Sequence, residues 1–330
     1  MQSPAIVFTK LNEVELQSID TPDPGEGEVQ VRTLYSAISS GTEGWFLRNL
    51  FTWQATPYPC VPGYQRVGII TRLGKGVTGW REGDKVFATT GCWQGPISPG
   101  WGAHLALGNT RASELYRIPV GADDLDAAAA VVAQVGYNAA YRPSLQPGDW
   151  VVVYGDGIIG QSAAQAARSR KARVILVGHR DERLALAKQF SADHVISNRE
   201  QPVMAAVAAL THGEPVRVVL DSVQGEAAQK EYEGLLPQGS GQIVYCGFTP
   251  GTVWADMARL QQLELTAHFI CGWNRQRLDS TLALMAQGRI NMKSLVTHLV
   301  PFQRGPEMYR MILSKSEPFM GITLDWKESL

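Results

Sequence analysis

Val151-Val152-Val153-Tyr154-Gly155-Asp156-Gly157-Ile158-Ile159-Gly160 is the stretch that decides the fold, and Gln161-Ser162-Ala163-Ala164-Gln165-Ala166-Ala167 follows it. Four β-favouring residues run into Gly-x-Gly-x-x-Gly, and an Ala-rich helical pattern comes next. This order predicts a buried parallel strand, a tight turn and the start of a helix. Gly155 permits the turn, Gly157 lets backbone approach a pyrophosphate, and Gly160 lets helix and strand pack closely. Phosphates would sit on the free N–H groups and positive dipole end of the helix, beside Asp156, Ile158 and Ile159. In a chain with 33 Gly the motif alone could be a structural turn. The strand before it, the helix after it and a second strand beyond supply the context a dinucleotide site needs.

The second strand bears on which dinucleotide. Arg173-Val174-Ile175-Leu176-Val177 ends in Gly178-His179-Arg180. An NAD-binding unit usually carries Asp or Glu here, about 20 residues beyond the glycines, to hold the ribose 2′-hydroxyl. Gly178 offers a 2′-phosphate neither bulk nor negative charge, and Arg180 supplies a fork of donors that His179 could supplement. The other reading makes Arg180 a solvated charge near a helix start. NADP(H) is favoured. Asn138, Ser222, Gly247 and Phe248 are further candidates for contacting the cofactor.

At 330 residues, 45% apolar and 18% charged, the chain is long enough for two well-filled domains. A formal net charge of −1 gives no electrostatic footprint for nucleic acid or an anionic membrane. The start, Met1-Gln2-Ser3-Pro4-Ala5-Ile6-Val7-Phe8, lacks the basic and long apolar regions of a signal peptide. No apolar run reaches the ~18 residues of a membrane span. Cys60, Cys92, Cys246 and Cys271 are too scattered for a disulfide framework. The expected location is the cytoplasm.

From Ala5 to about Ala122 the chain reads as short strands broken by turns, such as Pro22-Asp23-Pro24-Gly25 and Gly83-Asp84. Near Asp123 the pattern becomes helical. Strand and helix then alternate, with strands at Val151–Tyr154, Arg173–Val177, His194–Ile196, Val216–Leu220 and Gln242–Cys246. This is the signature of βαβ units and a doubly wound parallel sheet. Leu263–Ile270 reads as a late edge strand open to pairing between subunits. After a helix at Arg277–Gln287, the strands Thr297–Pro301 and Gly321–Trp326 are expected to return to the first domain.

The layout resembles the medium-chain dehydrogenase/reductase family along essentially the whole chain. The matching pieces are Gly83-Asp84-Lys85-Val86, Pro147-Gly148-Asp149-Trp150-Val151-Val152-Val153, the glycine motif and Ala192-Asp193-His194-Val195-Ile196. The resemblance implies an α/β protein with a GroES-like β domain over 1–122 and 289–330, and a Rossmann coenzyme domain over 123–288. Val177-Gly178-His179-Arg180 looks like the family's NADP-dependent alcohol dehydrogenases. Ser39-Ser40-Gly41-Thr42-Glu43, Pro62-Gly63-Tyr64 and Ile322-Thr323-Leu324-Asp325-Trp326 look most like the bacteriochlorophyllide dehydrogenase branch.

Zinc-dependent members hold their metal through a Cys, a His and a further Cys or Asp, and the corresponding positions here are Ser40, Tyr64 and Val131. Gln65 stands where the Glu of Gly-His-Glu would be. None of the three is a normal zinc ligand. Only Cys92 lies where a structural zinc site needs four cysteines, so neither zinc is expected. The catalytic candidates are then Tyr64, Thr42, Glu43 and Ser40. Thr42 corresponds to the hydroxyl that starts a proton relay in zinc-dependent relatives. Tyr64 could donate a proton, though base work would need its pKa of about 10 lowered. Glu43 corresponds to the acid that orients the metal-bound His, and here would hydrogen-bond Tyr64 or Ser40. A polar pocket wall left after metal loss is the competing reading of all four.

Trp45, Phe46, Phe51, Trp53 and Tyr58, with Trp93 and Trp101 around a Gly/Pro-rich loop, either pack the protein or face a sizeable flat substrate. The leading expectation is a zinc-independent NADP(H)-dependent oxidoreductase acting on a carbonyl or alcohol, as a homodimer. Reduction of a quinone or an enone C=C bond is an alternative, and so is a non-catalytic NADPH-binding protein.

Overall fold

The computed structural model describes residues 1–251 and 255–329. The first region contains β1 (Gln2–Lys10), β2 (Glu13–Asp20), β3 (Glu28–Ile38), α1 (Ser40–Leu47), β4 (Cys60–Val61), β5 (Arg66–Leu73), β6 (Lys85–Ala88), β7 (Ser98–Pro99), β8 (Leu107–Arg111) and β9 (Tyr116–Arg117). Then come α2 (Asp124–Ala128), α3 (Ala130–Tyr141), β10 (Trp150–Tyr154), α4 (Ile158–Ser169), β11 (Arg173–Gly178), α5 (Asp181–Leu186) and β12 (His194–Ser197). The middle region continues with α6 (Val203–Thr211), β13 (Val216–Asp221), α7 (Glu226–Glu233), β14 (Gln242–Tyr245), α8 (Met257–Gln262), β15 (Thr266–Phe269) and α9 (Arg275–Ala286). The tail supplies β16 (Val296–Pro301), α10 (Gly305–Ser314) and β17 (Gly321–Asp325).

The chain divides into two compact units, Met1–Val131 with Val296–Leu330, and Val132–Leu295. The sequence reading set the joints at 122/123 and 288/289. Helix α2 packs on β3 and β5 of the first unit, and Lys85 bonds Asp124 there at 2.8 Å. At the other joint Ile290, Met292 and Leu295 are buried, and the Asn291 amide donates to Gln165 of α4.

In the first unit, β17 of the returning tail pairs antiparallel with β3, and β16 lies parallel to β17. Ile322, Leu324 and Trp326 pack in one core with Ile6, Phe8, Phe46 and Leu47. The tail therefore completes a hydrophobic core begun by the first strand. Residues 40–47 form a helix within the region that reads as short strands and turns. The Gly/Pro-rich segment between Trp93 and Trp101 is exposed at Gln94, Gly95, Pro96 and Pro99, as a loop would be, but anchored at both ends: Gln94 pairs with Asp20, Ser98 with Cys60, and Trp93 packs against a buried cluster.

In the second unit all neighbouring strands are parallel, in the order β12-β11-β10-β13-β14-β15. Val151, Val152, Val153, Val174, Ile175 and Leu176 are fully buried, as strands covered on both faces require. The order reverses between β10 and β13, where open α/β sheets bind ligands outside the carboxyl ends of their strands. The glycine turn lies at that point. Among the described residues no helix is long and apolar enough to cross a membrane.

Candidate active site

The glycine turn is shaped by contact. Gly155 has φ +114°, and a Cβ on Gly160 would lie 1.9 Å from the Gly155 carbonyl oxygen. The strand therefore meets α4 at a distance only glycine allows. The first-turn amides of α4 have no preceding carbonyls to bond, and the helix carries no acidic residue in that turn. This end of the helix suits an anionic ligand.

Asp156, inside the turn, changes the reading of the second strand. Its carboxylate is 2% exposed and accepts the His179 and Arg180 amides on Oδ2, each at 2.9 Å. Oδ1 accepts Arg180 Nη1 at 2.9 Å, and Arg183 Nη1 lies 3.6 Å away. Burial pushes the Asp156 carboxyl up, but the two amides and the Arg180 guanidinium outweigh it, so the net shift is downward. A Cβ on Gly178 would fall 2.5 Å from Asp156 Cβ. The space expected to await a phosphate is thus filled by a carboxylate, and Arg180, though half-exposed, is bonded to it.

The other cofactor candidates divide. Ser222 donates to the Tyr154 carbonyl at 2.8 Å and backs onto Gly155, so its hydroxyl braces the turn. The Gly247 amide donates to the Asp221 carbonyl, and Phe248 is partly exposed. Asn138 lines a recess of about 460 Å³ with Tyr137, Tyr141, Phe269 and Arg277, which includes no residue of the glycine turn.

In the first unit the site candidates gather at the start of α1. The Ser39 amide donates to Glu43 Oε1 at 2.7 Å, which ties the carboxylate to its own helix entrance. Glu43 Oε2 accepts the Tyr309 hydroxyl and lies 2.9 Å from His104 Nε2. His104 Nδ1 is 2.8 Å from Ser36 Oγ, which also accepts Trp326 Nε1–H at 2.8 Å. A carboxylate can only accept, so the bond to Glu43 needs a proton on His104 Nε2, and with Nδ1 unprotonated the Ser36 hydroxyl donates to it. Glu43, His104, Ser36, Tyr309 and Trp326 are all fully buried. Glu43 is thus bonded to Ser39, His104 and Tyr309, where the sequence reading expected Tyr64 or Ser40.

Tyr64 is 6% exposed, with Trp101 edge-on to its ring at 5.3 Å. Burial pushes its hydroxyl above the ordinary tyrosine range and the Glu43 charge adds to this, while hydrogen bonds with Ser39 and Thr42 offset part of it. The shift rules against Tyr64 as a base and suits it as a neutral hydroxyl. Thr42 and Ser40 are partly exposed on the first turn of α1.

A profile described as "Alcohol dehydrogenase GroES-like domain" matches residues 25–120, and one described as "Zinc-binding dehydrogenase" matches 159–287. The chain is a medium-chain dehydrogenase/reductase. It is an oxidoreductase of the alcohol dehydrogenase type. It is 28% identical over 328 residues to a sorbitol dehydrogenase of Halalkalibacterium halodurans, covering 91% of this chain and 92% of that one. It is 25% identical over 338 residues to the 2-desacetyl-2-hydroxyethyl bacteriochlorophyllide A dehydrogenase of Cereibacter sphaeroides, covering 99% of both. Two solved structures share the fold across 98% of this chain and 99% of theirs. One is an alcohol dehydrogenase of E. coli complexed with NADH (22% identical, TM-score 0.82), the other a zinc-binding dehydrogenase of Sinorhizobium meliloti bound to NADP (18%, 0.84).

Within this dehydrogenase the positions that correspond to the family's zinc ligands do not fit the metal. Ser40 offers a neutral hydroxyl, Tyr64 a phenol driven away from ionisation, and Val131 a buried isopropyl group. Gln65 donates instead to the Ala37 carbonyl at 3.1 Å. His104 has both ring nitrogens engaged, by Glu43 and Ser36. Sequence reading missed His104, Ser36, Tyr309 and Trp326 because their partners lie 61 to 290 residues apart. It missed Arg183 because an arginine in the first turns of a helix looks like an ordinary surface charge.

Proposed function

We propose that this dehydrogenase prefers NADPH to NADH and moves a hydride between it and a carbonyl or alcohol carbon without zinc. The arrangement of Asp156 with Arg180 and Arg183 carries the cofactor half of the proposal. The carboxylate is bonded to backbone and guanidinium groups, so it is spent as an acceptor for a ribose diol. Two guanidinium groups against one carboxylate leave one positive charge where an NAD-using relative places an acid. Arg180 is 46% exposed and uses one of its five N–H groups on Asp156, which leaves donors for a phosphate.

When bound, the nicotinamide supplies or receives the hydride. Tyr64 presents a neutral hydroxyl to the substrate oxygen, with Thr42 and Ser39 orienting it. The Glu43 network holds α1, and hence those hydroxyls, in place. Titration of the purified protein with NADPH and NADH tests the cofactor preference, and equal or tighter NADH binding overturns it. Elemental analysis tests zinc independence: stoichiometric zinc, or loss of activity in chelator, overturns that half.

The upward shift of Tyr64 favours a second reading, reduction of quinones or enones. A weak phenolic acid contributes least where the acceptor is already polarised. NADPH oxidation measured with ketones, aldehydes, enones and quinones separates the two.

A further inference from the structure

Trp101 is held in a conformation that a tryptophan rarely adopts. Its φ is +74°, in the left-handed region where a bulky non-glycine residue is an outlier. The surrounding backbone allows it little choice. The Gly100 and Gly102 amides both donate to the Val61 carbonyl, at 2.8 and 3.1 Å, while the Trp101 carbonyl accepts the Gly91 amide at 3.1 Å. A Cβ on Gly100 would lie 2.7 Å from the Phe46 ring, and one on Gly102 2.8 Å from the Trp93 ring. The chain is pinned on both sides of one residue, and that residue is the largest available. A glycine there would remove the strain.

The strain places an indole in a particular company. Its ring centroid is 5.3 Å from Tyr64, edge-on, and 4.9 Å from Phe46. Phe46 leads to Phe51 at 6.0 Å, and Phe51 stacks on Trp53 at 4.8 Å with 20° between planes. The series runs from a hydroxyl that the sequence places in the site to Trp53, which is 59% exposed. A core would bury that ring. Phe51 and Trp101 pack against the first unit's core, but a strained residue retained beside a candidate site points to a function in addition.

We propose that Trp101, Phe51 and Trp53 form an aromatic wall that selects a planar, polycyclic alcohol or carbonyl compound, with its oxygen directed to Tyr64. Aromatic faces gain from stacking on such a ligand what they cannot gain from a small aliphatic one. The inference rests on the hydride-transfer reading for its chemistry, but the binding step stands apart from it.

The test uses 1-pyrenemethanol as a planar probe and cyclohexanemethanol as an apolar, non-planar one. Binding of the first is followed by energy transfer from tryptophan, and of the second by competition, in the full-length protein without nucleotide. Pyrenemethanol should bind at least tenfold tighter than cyclohexanemethanol. Trp53→Ala, at an exposed position, should weaken pyrenemethanol about tenfold and leave cyclohexanemethanol unchanged. Trp101→Gly should weaken pyrenemethanol about tenfold to a hundredfold and still unfold in one cooperative transition. Absence of pyrenemethanol binding, or equal weakening of both probes in Trp53→Ala, overturns the proposal. Lost probe selectivity with continued NADPH oxidation on small ketones sinks the wall alone. Retained selectivity with no NADPH oxidation on any acceptor sinks the hydride-transfer reading alone.

Discussion

Asp156 and Gly178 share one space, and the cofactor predictions follow from that. One charge-assisted contact to a phosphate contributes about 1.5–3 kcal/mol, or roughly tenfold to a hundredfold in affinity. Arg180→Ala should weaken NADPH by that factor with little change for NADH, as measured by cofactor dissociation constants. Arg183→Ala should act in the same direction, and unchanged NADPH affinity would return Arg183 to the protein surface. Gly178→Asp, which sequence logic offers as a switch to NADH, should instead destabilise the protein, because its Cβ has nowhere to go while Asp156 is present. The Asp156 carboxyl also has a pH signature. Its pKa is depressed in the folded protein, so its ionised form stabilises the fold above the ordinary carboxylate pKa, and this is lost as pH falls through the depressed value. The stability difference between wild type and Asp156→Asn in urea should therefore shrink between neutral pH and strong acid. A difference that stays constant would mean the carboxylate contributes through its shape alone. At Tyr64 the expectation is kinetic: Tyr64→Phe should lower kcat about 10²-fold if its hydroxyl serves the substrate oxygen. A normal kcat would assign the ring to packing against Trp101.

Helix α1 shows how an element can depend on residues far away. Gly41, Gly44, Ser40 and Thr42 are poor helix formers, so the segment has little reason to be helical by itself. It is held by Glu43, whose carboxylate closes back on the Ser39 amide and reaches Tyr309 of α10 and His104. Glu43→Gln keeps the shape but sets an amide N–H₂ against groups that donate to the carboxylate in the wild type. It should cost about 1–3 kcal/mol in denaturant unfolding, and a loss near zero would show that the network is replaceable by simple packing. This is also where sequence reading stopped. The coenzyme sheet was legible because each of its strands announces itself within ten residues through apolar runs and bounding turns. Ser40, Thr42, Glu43 and Tyr64 were singled out by resemblance. Their partners were not, because no local pattern links Ser36 to Trp326 or Glu43 to Tyr309. Gly178 was read as a vacancy because a neighbour one helix and one strand earlier, Asp156, could not be seen to fill it.

At the scale of the whole molecule, β15 lies at one margin of the six-stranded sheet, with Phe269 77% exposed and stacked on Tyr245 at 5.1 Å. We propose that two copies pair there about a two-fold axis. Light scattering should then give twice the 36.1 kDa chain mass. Phe269→Asp should yield the single chain, whereas a wild type of single mass excludes the pairing. The returning tail has a consequence of another kind, in time. Tyr309 and Trp326 are made more than 200 residues after Glu43 and His104, yet they complete the surroundings of that pair. The segment 132–295 is continuous and carries its own core, so it can fold while translation proceeds. The order of acquisition thus differs from the order of synthesis: segment 132–295 matures first, and residues 1–131 wait for the strands that follow residue 295. A nascent chain arrested after residue 295 should protect the middle segment from protease and leave the first 130 residues open to it.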